Sequence, residues 1–231
     1  MARINKGALT RIEIVTEATK KFLKNGYSNT SISAVARELE MSQGNLTFHY
    51  PTKEHLLAVL VDILCDFQWK YLEHEAGEGI NSVMAICLEL TSMASAAEDD
   101  ESIKDFFLSA YSSPMCLDII RKNDAKRAKN VFAAYRPDWT EEQFAEAEIL
   151  VSGIEFATLI TAGDPVPLER RLTGALHNIL GIYGVPEEVR NTNIQKVLTM
   201  DYKGLSKKIL EEFKEYVAKS NHKTFLDIIE H

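Results

Sequence analysis

Gln43, Asn45, Thr47 and His49 fall within seven residues of one another, and their amides, hydroxyl and imidazole can bond the edges of nucleic-acid bases or the phosphates between them. Phe48 and Tyr50 interleave aromatic surface with these polar groups. Arg37 and Lys53 flank the cluster with positive charge suited to a phosphate backbone, and the hydroxyls of Thr30, Ser31 and Ser42 lie within reach of the same surface. Enzyme signals are absent by comparison. The chain has no Gly-x-Ser-x-Gly, no phosphate-binding Gly-Lys-Ser/Thr loop and no His-Glu-x-x-His. Its six histidines lack metal-ligand spacing, so no catalytic residue, metal or cofactor is assigned.

Two short helices position the polar cluster. Ile32, Val35, Ala36 and Leu39 share one face of the first, with Thr30 or Ser31 as its cap. Ser42 caps the second, over 42–49, whose inward residue is Leu46. Ala36 is small where the two helices cross, and Lys53 stands at the opening of a third. Two helices around a tight turn, the second polar outward, form the outline of a helix-turn-helix.

This stretch resembles the amino-terminal domain of TetR-type transcriptional regulators. Ile14, Ala18, Phe22, Gly26 and Tyr27 match that family's first-helix pattern. Thr30, Ser31 and Ile32 match its second-helix start, and Gly44, Leu46, His49, Tyr50, Lys53 and Glu54 the segment that follows. The resemblance covers about residues 10–60, roughly a quarter of the chain. It implies a homodimeric repressor in the cytoplasm whose recognition helices enter successive major grooves of a palindromic operator on double-stranded DNA. It also implies release or recruitment by an unknown small-molecule effector. Gln43, Asn45 and Thr47 would then contact bases or phosphates, while Thr30, Ser31, Arg37, His49, Tyr50 and Lys53 hold the backbone.

Two positions depart from the family pattern. Glu40 stands in the turn where the family has Gly, a position that tends to need positive φ, at a cost of roughly 1–2 kcal/mol for any other residue. Thr47 stands where the family has an aromatic phosphate contact, so only a shorter hydroxyl is offered there.

The net charge of −8 conceals a division. Residues 1–60 carry eight Lys/Arg against five Asp/Glu, giving +3, and residues 61–231 carry eighteen against twenty-nine, giving −11. Local sign decides where a phosphate backbone is met, and the positive part coincides with the helix-turn-helix. No apolar run approaches the roughly 20 residues of a membrane span, and the segment MARINKGALTR lacks the apolar stretch of a secretion signal. Cys65, Cys87 and Cys116 are odd in number and lie in apolar surroundings, which fits buried thiols in a reducing compartment.

Helical spacing runs through nearly the whole chain, giving an all-α fold of about ten helices: a three-helix domain over 1–52 and a larger helical domain over 53–231, which the resemblance implies binds the effector and dimerises. Helices are expected at about 10–24, from 52 to before Gly77, 80–97, 99–111, 114–135, 140–162, 165–183 and 187–200, with a last one from 205. Gly77-Glu78-Gly79 reads as a helix connection, and Glu98 to Glu101 as a solvated acidic connection. Aromatic and sulfur side chains at helical spacing are ordinarily core. The expected effector pocket therefore rests on Phe67, Met84, Cys87 and Phe156, with Thr91, Tyr111 and His177 as polar partners for an apolar ligand with one polar end. The stripes Phe144, Val151, Ile154 and Leu168, Leu172, Ile179 pack in the monomer core or, as the resemblance implies, pair with a twofold mate. The alternatives to a regulator are a helical small-molecule or protein-binding module without a DNA role, and a helical enzyme. The polar face of 42–49 and the local positive charge argue against the first, and the missing catalytic constellation against the second.

Overall fold

The computed structural model describes residues 6–76 and 81–219, and the Gly77-Glu78-Gly79 connection and Ile80 lie outside the described residues. Eleven α-helices and no strand occur among the described residues, so the fold is all-α and each expected helical segment has its counterpart. They are α1 (Lys6–Asn25), α2 (Ile32–Glu38), α3 (Gln43–His49), α4 (Lys53–Ala76), α5 (Ser82–Asp99), α6 (Glu101–Ser112), α7 (Pro114–Phe132), α8 (Glu141–Ile160), α9 (Leu168–Ile182), α10 (Glu187–Thr199) and α11 (Tyr202–Lys219). No helix among the described residues is long and apolar enough to cross a membrane.

The boundaries follow from caps. Asn81, Asp100, Ser113 and Thr140 accept N-terminal backbone N–H groups of α5, α6, α7 and α8, and Thr140 forms a reciprocal box with Gln143. Asp100 is thus a structural carboxylate. Glu98 is also engaged, accepting from Arg171 Nη2 at 2.5 Å and from Gly163 N at 3.1 Å, so the acidic connection is only partly solvated.

α5 is the axis of the larger domain. From Val83 to Ala97 every residue except Ile86 and Glu89 is buried, because α4, α6, α8, α9, α10 and α11 surround it. Its run Ala94-Ser95-Ala96-Ala97 keeps side chains short where neighbours approach. α11 closes one side: Phe213 is fully buried with its ring 5.3 Å from that of Phe67, which also meets Tyr216 at 5.2 Å. Burying a Phe side chain contributes about 1.5–3 kcal/mol, so this seam holds the carboxy-terminal helix firmly. On the other side Phe132 stacks on Tyr183 at 4.4 Å, joining α7 to the end of α9.

α1 to α3 pack against the start of α4 through Ile14, Val15, Ala18, Phe22, Val35, Ala36 and Leu46, all buried. The apolar core is continuous from these helices into the larger domain.

Candidate nucleic-acid interface and buried cavity

Ser31 and Ser42 each accept a backbone N–H at 3.1 Å, from Ala34 and Asn45, and so fix the starts of α2 and α3. The turn between them is a Schellman ending: Met41 N donates to Ala36 O at 3.0 Å and Glu40 N to Arg37 O at 3.1 Å. Glu40 takes φ +51°, the one non-glycine residue at positive φ among the described residues. The strain expected at this position is therefore present, and the turn keeps its shape without glycine.

On α3, Leu46 is buried while Gln43, Gly44, Asn45 and Phe48 face outward. Phe48 is 83% exposed, the most open large apolar side chain described, beside His49 with ring centroids 5.3 Å apart. Thr47 donates its hydroxyl to Gln43 O at 3.1 Å, so its oxygen retains acceptor capacity. Partial burial, then the nearby Arg11, lowers the His49 pKa and keeps the imidazole neutral near pH 7. Arg37 is exposed on α2.

Three expected backbone contacts carry structural duties. Thr30 is buried and donates to Gly26 O at 2.8 Å, closing the α1–α2 turn, so its hydroxyl does not face a phosphate. Tyr50 is 5% exposed and its hydroxyl is enclosed without a partner. Burial raises that hydroxyl's pKa, and it is no surface donor. Lys53 Nζ donates to Tyr27 O at 2.9 Å and lies 4.0 Å over the Tyr27 ring; burial lowers its pKa, with Asp105 opposing. Lys53 therefore locks α4 onto the α1–α2 turn even where it also approaches a phosphate.

Asp105 on α6 holds the same turn. It accepts Ser28 N at 2.7 Å and Ser28 Oγ at 2.5 Å. Gly26, at φ +85°, leaves no room for a Cβ, which would come 2.7 Å from Asp105 Oδ2. The reading head is thus tied to α6 as well as continued by α4.

The interior of the larger domain differs most from expectation. Two small adjoining cavities, each of about 30 Å³, share Glu89, Asp124, Arg127 and Glu155 in their walls. Of the seven residues expected to line an effector pocket, Tyr111 is in the walls of these two cavities and the other six are not. Phe67 is packed on α11, and Met84 and Cys87 are buried in the α5 core, where burial pushes the Cys87 thiol up to about 12. Thr91 donates to Cys87 O at 2.7 Å, and Phe156 packs half-buried against the core. His177 bonds Asn191 at 3.1 Å between α9 and α10.

The cavity groups that sequence reasoning passed over are charged. Arg127 donates to Glu89 at 2.8 Å and to Asp124, Tyr111 donates to Glu155 at 2.9 Å, and Tyr183 donates to Glu148. Register could have found two of them: Glu148 and Glu155 lie seven apart on the stripe of Phe144, Val151 and Thr158 that α8 turns inward.

Of the two readings open for that stripe, packing within the chain accounts for its burial. Phe144, Val151, Leu172 and Ile179 are buried in the chain's own core, and Ile154 and Leu168 pack half-buried against it. The outward face of α8 instead carries Ile149, Leu150 and Ile160, at 54%, 62% and 49% exposure, with Gly153 and Ala157 beside them. On α9 it carries Thr173, Gly174 and Asn178.

A capped helix-turn-helix whose second helix leaves a polar face open has the outline by which such motifs enter a major groove. Comparison with known proteins narrows the class. Residues 14–60 match the bacterial regulatory proteins, tetR family. The HTH-type transcriptional regulator QacR of Staphylococcus aureus is 37% identical over 51 residues, 22% of this chain and 27% of that protein. The chain thus spans about a quarter of the length of the curated relative it matches. Two solved structures are similar in fold: a gamma-butyrolactone receptor (ArpA-like protein), at 18% identity and TM-score 0.46, and the TetR family protein CprB from S. coelicolor A3(2), at 19% and 0.45. Each likeness covers 90% of this chain and all of the other. Residues 14–60 of this chain are thus similar to the helix-turn-helix region of the tetR family.

Proposed function

We propose that this chain is a DNA-binding transcriptional regulator, a repressor that acts as a homodimer on a palindromic operator under the control of a small-molecule effector. In this reading residues 1–52 read DNA, and 53–231 bind effector and partner. The observation that carries the reading is the open outer face of α3, where Gln43, Asn45 and Phe48 are exposed on a helix anchored by Ser42 and Leu46. Gln43 and Asn45 are the base readers, Phe48 supplies apolar contact to a thymine methyl, and Ser31, Arg37, Ser42, Thr47 and His49 meet the backbone.

The outward face of α8 and α9 is the partner surface. Ile149, Leu150 and Ile160 offer apolar area, and Gly153, Ala157 and Gly174 permit close helix approach. Regulation rather than catalysis is the reading for the larger domain, and the cytoplasm is where its DNA and its three free thiols belong.

The test is selection of bound fragments from genomic DNA by purified full-length protein, followed by titration of the selected duplex against a scrambled one at several salt concentrations. The reading expects preference for the selected duplex and a steep loss of affinity with salt. Asn45→Ala should flatten preference at particular positions by roughly 1–3 kcal/mol. Equal affinity of the wild type for both duplexes would remove the regulator reading and favour a binding module without a DNA role.

A further inference from the structure

The surface between α7 and α8 carries a charge pattern that DNA binding does not use. A groove of about 610 Å³ opens there, far larger than either core cavity and sharing no wall residue with them. It holds Arg121, Lys122, Lys126 and Lys129 from α7 against Asp118 from α7 and Glu141 from α8. Ala125 and Ala145 lie among them, short side chains that keep the space open. The groove is thus a local excess of positive charge in a region, 61–231, whose net charge is −11. No residue of α1 to α3 lines it, and none of its residues belongs to the outward α8–α9 surface proposed above to meet a partner.

A lysine stripe is ordinarily a solvated helix face whose charges alternate in sign. α7 does not follow that pattern. The neighbours of Lys126 three and four residues away are Lys122, Asn123, Lys129 and Asn130, and none is acidic. Like charges at that spacing oppose helix formation, so the run burdens α7 unless an anion meets it. Neither Lys122 nor Lys126 has a hydrogen bond or ion pair among the described residues. Lys129 is held by Glu141 at 2.6 Å, an exposed pair that links α7 to α8. Arg121 is the fixed member. Its Nε donates to the buried Ser152 Oγ at 2.9 Å, leaving both Nη nitrogens without a partner among the described residues.

A guanidinium presents its donors in a planar fork that phosphate oxygens match, and ammonium groups act beside it as point charges. Lys122 and Lys129 are seven residues apart, about 10 Å along the helix axis. One phosphate group is too small to serve both, whereas two linked phosphates draw on both pairs of cations. A longer polyanion is disfavoured, because Glu142 and Glu146 are exposed along α8 just past Glu141 and repel it.

We propose that this groove binds a small anion with two linked phosphate groups, either free pyrophosphate or the diphosphate of a nucleotide. One phosphate sits with Arg121 and Lys122, the other with Lys126 and Lys129. Binding draws Lys129 away from Glu141, so Glu141 competes with the ligand. The site rests neither on the effector reading nor on the DNA reading.

The test is calorimetry on the full chain with pyrophosphate, inorganic phosphate, adenosine diphosphate and adenosine. Pyrophosphate should bind with a sub-millimolar Kd at low salt and lose affinity at high salt, because exposed charges are screened. Lys126→Gln and Arg121→Gln should each weaken it tenfold or more. Glu141→Gln should tighten it by removing the competing carboxylate. Lys203→Gln, the same charge change at an exposed position on α11, should leave it within twofold. Lys126, Glu141 and Lys203 are all exposed, so these three variants keep the fold even where Arg121→Gln does not. Adenosine diphosphate binding at least tenfold tighter than pyrophosphate makes a nucleotide the source, and any smaller difference makes it the free diphosphate; both uphold the site. Absence of pyrophosphate binding, or inorganic phosphate or adenosine binding as tightly as pyrophosphate, would overturn the proposal. So would a Lys203→Gln loss equal to that of Lys126→Gln, or a Glu141→Gln variant that binds no tighter than the wild type.

Discussion

Glu40→Gly should stabilise this protein, and the amount follows from one dihedral angle. Glu40 sits at φ +51°, in the left-handed region where a Cβ meets the following carbonyl at a cost of roughly 1–2 kcal/mol. Glycine removes that clash but adds unfolded-state freedom, which returns roughly 0.5–1 kcal/mol to the unfolded chain. The net gain is about 0.5–1 kcal/mol, or a Tm increase of roughly 1–4 °C for a chain of this size. No hydrogen bond is lost, because the Schellman pair from Glu40 N and Met41 N is backbone only.

Charge must be separated from strain, since Glu40 is exposed near the surface that meets DNA. Glu40→Gln removes the charge and keeps the Cβ, whereas Glu40→Asn removes the charge and tolerates the left-handed region better. Melting followed by circular dichroism should rank Gly and Asn above Gln, with Gln close to the wild type. Operator affinity should rise for all three alike, because each removes a negative charge facing phosphates. A Gln variant as stable as the Gly variant would refute the backbone argument and assign the gain to electrostatics.

Leu150→Arg should convert a dimer to a folded monomer in sedimentation, since an unpaired charge is costly inside an interface, while Val151→Asp should unfold the chain at every concentration because Val151 is in its own core. Stability should fall as pH rises from about 5 to 8: the folded state keeps on Glu148 a proton that the unfolded chain releases near the usual 4.5, and the advantage is gone above about 8. Glu148→Gln should flatten that slope in a series of thermal melts. Asp105→Ala should lower Tm by a few degrees through the loss of two hydrogen bonds to Ser28, and should reduce the ligand-induced change in operator affinity more than the operator affinity itself.

The reading head was legible because its signals are local. Ser31, Ser42, Leu46 and the turn at Glu40 act within a few residues of one another, so spacing alone positioned α2 and α3. Thr30, Tyr50 and Lys53 were assigned to DNA because a polar group near the motif looks available. The partners of Thr30 and Lys53, Gly26 O and Tyr27 O, and the enclosure of Tyr50 become visible only once the α1–α2 turn is folded. The stripe on α8 was found, but a stripe does not say which of its two sides is covered. Phe144 and Val151 took the inside, leaving Ile149 and Leu150 for the outside. Cavity walls are hard to read in a sequence for a related reason. Apolar residues were sought for a pocket, yet in a close-packed core they are what fills space, and the groups that mark a site are the charges buried among them.

The cavities also constrain how a ligand could act. At about 30 Å³ each, they admit roughly two water molecules, far less than an organic effector. A bound state therefore requires the walls to part, and a ligand shifts an equilibrium only by its differential affinity for two such states. Of the walls, α6 contributes Phe106, Phe107, Ala110 and Tyr111, and one residue earlier it holds the α1–α2 turn through Asp105. Its far end is fixed less directly, through Ser113 to Glu54 on α4. Displacing α6 to make room at Tyr111 must either break the Asp105–Ser28 pair or carry the turn, and with it α3, along. Hydrogen bonds of 2.5 and 2.7 Å favour carrying it. In a dimer, the same shift repeated about the twofold axis changes the separation of the two α3 helices, and major grooves on one face of DNA repeat only about every 34 Å. A rigid link from an acidic cavity to one turn is therefore enough to make DNA affinity depend on what the cavity holds.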